Sequence, residues 1–109
     1  MTDQKKTRRQ KLEEYVAQNP NDAFSRYGLA LESLREGDKT GAEAQFRTLI
    51  ESNADYVPAF QMYAQMLVQE ERREEARSIL TSGIAAATRT GNAHARSEME
   101  GLLGDLEAG

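Results

Sequence analysis

The chain has 109 residues, enough for one domain with a modest core and too few for two independent ones. Apolar residues make up 39% and charged residues 29%, a globular composition rather than a disordered one. The absence of cysteine excludes disulfides, thiolate zinc sites and thiol catalysis.

Charge is unevenly spread. Residues 1–11 carry Lys5, Lys6, Arg8, Arg9 and Lys11 against Asp3, a net of +4, which leaves −8 for the rest of a chain whose total is −4. An acidic body does not suit a phosphate backbone, so a nucleic-acid partner is not expected, and the basic head reads as a solvated, partly frayed terminus. No stretch approaches the ~20 apolar residues of a membrane span, and the opening MTDQKKTRRQ lacks the apolar core of a secretion signal. We therefore expect a cytoplasmic protein without membrane contact.

Breakers divide the chain at regular intervals. Asn19-Pro20-Asn21-Asp22 is a loop ending in a helix cap, and Glu36-Gly37-Asp38 is a helix stop with Gly suited to the left-handed residue. Asn53-Ala54-Asp55 followed by Pro58 reads as a cap and restart, and Thr90-Gly91-Asn92 as the last stop. Between them the apolar spacing is helical, as in Leu12, Tyr15 and Val16 or Phe46, Leu49 and Ile50. This predicts six helices over 3–18, 22–36, 39–53, 57–70, 73–88 and 92–106, antiparallel to their neighbours, with Glu107-Ala108-Gly109 frayed.

Self-comparison reveals a period of 34. Ala30 and Ala64 are that far apart, as are Ala42 and Ala76, Phe46 and Leu80, and Ile50 and Ile84. Going back 34 from Phe46 and Ile50 gives Leu12 and Val16, so the first helix is the second half of an incomplete repeat. Such helix pairs cannot bury their apolar faces alone and must stack. Small residues at Ala30, Ala42, Ala64 and Ala76 let axes approach, while Leu29, Phe46, Tyr63 and Leu80 fill the gaps. The expected fold is an all-α, right-handed stack with one concave face, organised as a single domain. Residues 1–21 form its half repeat, 22–55 and 56–89 its two full repeats, and 90–109 its capping helix.

With Leu29-Ala30, Gly37-Asp38, Ala42 and Phe46 in one repeat, and Phe60, Tyr63-Ala64, Leu67, Ala76 and Leu80 in the next, the chain resembles the tetratricopeptide repeat family over about residues 8–88. Leu12, Tyr15 and Asn19-Pro20 supply the leading half. Arg26 stands where the pattern has a large aromatic, Ser33 where it has Tyr, Ala54 in place of the loop Pro, and Glu71 in place of the turn Gly. A left-handed Glu71 would cost about 1 kcal/mol, which predicts a differently shaped second turn.

The resemblance implies that the first helix of each pair lines the concave groove. One face of 22–36 carries Phe24, Tyr27, Leu31 and Arg35, and that of 57–70 carries Gln61, Gln65 and Gln69 with Met62 beside them. The offset of 34 pairs Tyr27 with Gln61, Leu31 with Gln65 and Arg35 with Gln69, so these eight residues are the expected partner-binding groove. Amides can donate to and accept from a peptide backbone, Tyr and Arg anchor interfaces, and Met adapts to irregular partners. The competing reading packs Phe24, Tyr27 and Leu31 on neighbouring helices. Some family members grip an acidic C-terminus with Lys, Asn and Arg; Tyr27, Leu31, Gln61 and Gln65 stand here instead, so that clamp is not expected.

Nothing in the sequence carries chemistry of its own. His94 is the single histidine and reads as a surface side chain near Glu98. Glu74 and Glu75, in the run with Glu70 and Glu71, suit a helix N-terminus, and no Gly-rich phosphate loop or nucleophile elbow is present. The expectation is a non-enzymatic adaptor without cofactor or metal, binding a protein or peptide in its groove. The alternative is a self-associating scaffold subunit, such as a homodimer, whose groove a second copy covers.

Overall fold

The computed structural model describes residues 5–109, and among them it contains six α-helices and no strand. They are α1 (Arg8–Gln18), α2 (Ala23–Arg35), α3 (Lys39–Ser52), α4 (Val57–Gln69), α5 (Arg73–Thr90) and α6 (Ala93–Ala108). The chain forms two compact units, Met1–Ser52 and Asn53–Gly109. In the first, α2 packs on both α1 and α3; in the second, α5 packs on both α4 and α6, and α4 also touches α6.

In the first unit α1 runs antiparallel to α2. Arg8 meets Glu32, and Leu12 lies under Gly28. Ala30 of α2 and Ala42, Phe46 and Leu49 of α3 are fully buried, and the two helices pack on each other. Burial of Phe46 and Leu49 alone is worth about 1.5–3 kcal/mol each. In the second unit Ala59, Ala64, Leu67, Ala76, Leu80 and Ala86 are fully buried, with Phe60, Tyr63 and Met99 nearly so. Gly83 of α5 lies between Phe60 of α4 and Met99 of α6; a Cβ there would stand 2.7 Å from Phe60 Cβ and 2.6 Å from the Met99 sulfur.

The turns repeat with the period. At Gly37 the amide bonds the Leu34 carbonyl and the Asp38 amide bonds that of Ser33; at Glu71 the partners are Val68 and Leu67, each 34 positions on. Gly37 has φ 84° and Glu71 has φ 59°. The expectation of a differently shaped second turn is thus corrected: burial of the flanking helices outweighs a left-handed glutamate. The third turn, with Gly91 at φ 71°, makes the same pair of bonds to Thr88 and Ala87.

Four boundaries also differ from expectation. The first helix begins at Arg8 and not at residue 3: Lys5–Thr7 are not helical, and Thr7 and Gln10 close a reciprocal cap. Residues 3 and 4 lie outside the described residues. The cap of α4 is Tyr56, without a side-chain bond, and not Asn53–Asp55, because Asp55 is turned to Arg89 at 2.8 Å. The fifth helix continues through Thr90, where Arg89 also donates to the Ala54 carbonyl at 3.2 Å. The last helix runs through Ala108, closed by the Gly109 amide on the Asp105 carbonyl, so Glu107 and Ala108 are not frayed.

Candidate functional site

Phe24, Tyr27, Leu31 and Arg35 follow one face of α2 at intervals of three and four residues. Asp22 fixes where that face starts: its side chain accepts from the Ser25 amide and hydroxyl, capping the helix. Phe24 is 76% exposed, Tyr27 and Leu31 are half-buried, and Arg35 is exposed. Arg35 reaches back to Glu32, which is only 5% exposed and also pairs with Arg8 Nε at 3.2 Å. The Arg35 guanidinium holds the Glu32 carboxyl below its ordinary range.

Glu32 escaped the sequence reading. The available signal was its place three residues before Arg35, a spacing at which helical ion pairs form. The basic head is solvated as expected at Lys5, Lys6, Arg8 and Lys11, but the ion pairs it makes were not foreseen. Lys6 pairs with Glu14 at 2.6 Å, and Arg9 spans from Glu13 to Glu36 and Asp38, at 3.2 and 2.7 Å for the last two. Asp38 in turn caps α3 through the Gly41 amide, and its carboxyl is held low by that bond first and by Arg9 second. The departures from the repeat pattern are also accommodated: Arg26 bonds Gln45 at 2.8 Å, and the buried Ser33 hydroxyl bonds the Leu29 carbonyl.

In the second unit the structure brings Gln61 and Gln65 together on one wall of an open cleft of about 430 Å³ between α4 and α6. Ser97, Glu98, Leu102 and Asp105 of α6 form the opposite wall. Gln61 Nε2 donates to Glu98 Oε1 at 3.0 Å, whereas Gln65 is exposed. Gln69 is exposed and Met62 half-buried, and neither lines this cleft. The α6 wall was not foreseen, because Gly101 and Gly104 obscured the helix register; Ala95, Met99 and Leu106 are its buried side. Both walls offer amide and carboxylate groups that suit the N–H and C=O groups of an extended peptide.

Among the described residues no group of three or more His, Cys, Asp or Glu could hold a metal ion, and no helix is long and apolar enough to cross a membrane. His94 is exposed, with Nε2 3.5 Å from Glu98.

Helix pairs repeating every 34 residues, with the same glycine-type turn recurring at that interval, define an all-α helical-repeat protein. The chain is a tetratricopeptide-like domain. Its fold is similar to the solution structure of a tetratricopeptide repeat domain protein from Salinibacter ruber, at 29% identity and a TM-score of 0.77, over 82% of this chain and 90% of that one. A crystal structure of a tetratricopeptide repeat domain protein from the same organism is also similar, at 29% identity and a TM-score of 0.75, over 79% of this chain and 97% of that one. No family model and no curated protein matches the chain.

Proposed function

We propose that this protein is a non-catalytic interaction module that takes a peptide or protein segment on the faces of its first helices. The reading rests on one observation: the α4–α6 cleft is open, with Gln61 and Gln65 on one wall and Glu98 and Asp105 beside Met99 and Leu102 on the other, and with an uncommitted amide at Gln65. A fold built from stacked helix pairs is an interaction fold in general, and the two similar structures are tetratricopeptide domains. On α2 the contact residues are Phe24, Tyr27, Leu31 and Arg35; on α4 they are Gln61, Met62, Gln65 and Gln69. Phe24 supplies an apolar anchor, and the glutamines satisfy the partner's backbone.

Selection from a displayed peptide library tests this. Peptides that bind the native protein should lose binding to a Tyr27→Glu/Leu31→Glu variant and to a Gln61→Ala/Gln65→Ala variant, with helical circular dichroism unchanged. Peptides that bind both variants as well as the native protein would refute the assignment.

A further inference from the structure

Residues 53–109 hold nine aspartates and glutamates against five arginines, so the chain's whole net charge of −4 lies in the second unit. Each of those arginines is engaged away from the α4–α6 cleft. Arg72 pairs with Glu70 and Glu75, Arg77 with Glu74, and Arg89 with Asp55. Arg96 turns to Glu100 at 3.2 Å, and Arg73 donates to the Leu106 carbonyl at 2.6 Å. None of the five lines the cleft.

The cleft is left with two exposed carboxylates, Glu98 and Asp105, and no lysine or arginine. Glu98 accepts from the neutral amide of Gln61, and its other oxygen lies 3.5 Å from His94 Nε2, a cation only when protonated. The Asp105 carboxylate pairs with no other described residue. The two carboxylates are seven positions apart, two turns along one face of α6, or about 10 Å. Met99 and Leu102 supply apolar wall beside them, and a concave site with such walls concentrates the field of its charges. Gly101, between the two, leaves that wall without a side chain, and a Cβ there would meet nothing within 4 Å.

We propose that the segment taken by this cleft is basic: lysine or arginine side chains reach Glu98 and Asp105 while Gln61 and Gln65 hold its backbone. Basic specificity presupposes peptide binding at this cleft and adds the partner's charge to it. A separation of about 10 Å suits two side chains three residues apart on one side of an extended, polyproline-type segment, which rises about 3.1 Å per residue with three residues per turn. A cation arriving there gains charge-assisted hydrogen bonds without displacing an arginine or lysine of this chain. An acidic segment meets like charge instead.

Fluorescence anisotropy of the full chain with three labelled alanine-glycine peptides tests this. One carries two lysines three residues apart, and the others carry two glutamines or two glutamates in their place. At low salt the lysine peptide should bind at least about tenfold more tightly than the glutamate peptide, and added salt should narrow the gap. Glu98→Gln combined with Asp105→Asn should remove the preference. Gly101→Leu, which fills the cleft from an open position, should abolish lysine-peptide binding. Helical circular dichroism of each variant shows whether it is folded. A lysine peptide that binds no better than the glutamate peptide would overturn the proposal, as would a preference that survives either variant. Library peptides that depend on Gln61 and Gln65 but carry no excess of lysine or arginine would remove the basic specificity alone. Binding of neither the library nor the lysine peptide would remove peptide binding with it.

Discussion

Gly37 and Glu71 occupy equivalent positions in two turns of the same hydrogen-bond pattern, with φ of 84° and 59°. Glycine adopts that conformation freely and glutamate does not. Replacing Glu71 with Gly should therefore stabilise the second unit by about 1 kcal/mol. Urea denaturation checks it: a higher midpoint with unchanged slope is expected, and a lower midpoint would show that the Glu71 side chain contributes more than the strain costs.

The helical glycines should respond to alanine with opposite signs. Gly104 faces open space, so Gly104→Ala gains helix propensity and should stabilise by up to about 1 kcal/mol. At Gly83 a Cβ would press on Phe60 Cβ, which cannot swing aside as the Met99 sulfur can. Overpacking of about 1–3 kcal/mol then offsets the gain in propensity, and Gly83→Ala should be net destabilising. Thermal melts of the two single variants decide this, and equal shifts would contradict the α4–α5–α6 packing.

Acid should weaken the first unit. The Ser25 hydroxyl and amide hold the Asp22 carboxyl low, Arg35 does so for Glu32, and the Gly41 amide with Arg9 does so for Asp38. A carboxyl group whose folded pKa is depressed stabilises the fold at pH above its unfolded value, and that contribution is lost as pH falls through the folded value. Melting temperature should thus fall as the pH drops below the ordinary carboxylate range, near 4 on the usual scale. Asp38→Asn should lower the melting temperature at neutral pH and flatten the acid limb. An unchanged limb would show that Asp38 is not so paired.

The parts of the fold that the sequence made legible are those fixed by local chemistry. Glycine at 37 and 91 and the Asp22 cap mark helix ends by conformations that their neighbours cannot change. Repetition made the core legible, since Ala42 and Ala76, or Phe46 and Leu80, share both offset and full burial. What stayed hidden depends on contacts distant in sequence. Arg9 meets Asp38 across 29 positions, and Arg89 draws Asp55 away from a capping role across 34. Helical spacing put Gln61 and Gln65 on one face of α4, and the structure places both on one wall of the α4–α6 cleft; the α6 wall was not foreseen, because two glycines blurred its periodicity. Glu71 misled for a reason of magnitude: about 1 kcal/mol of local strain is small beside the burial it permits.

The most direct test of peptide binding by the first-helix faces is a nuclear magnetic resonance titration of the labelled protein with a peptide from the displayed library. Shift changes centred on Phe24, Tyr27 and Leu31 of α2 and on Gln61, Gln65 and Asp105 around the α4–α6 cleft are the expected result. Changes confined to α3 and the outer side of α5, with those residues unmoved, would contradict it.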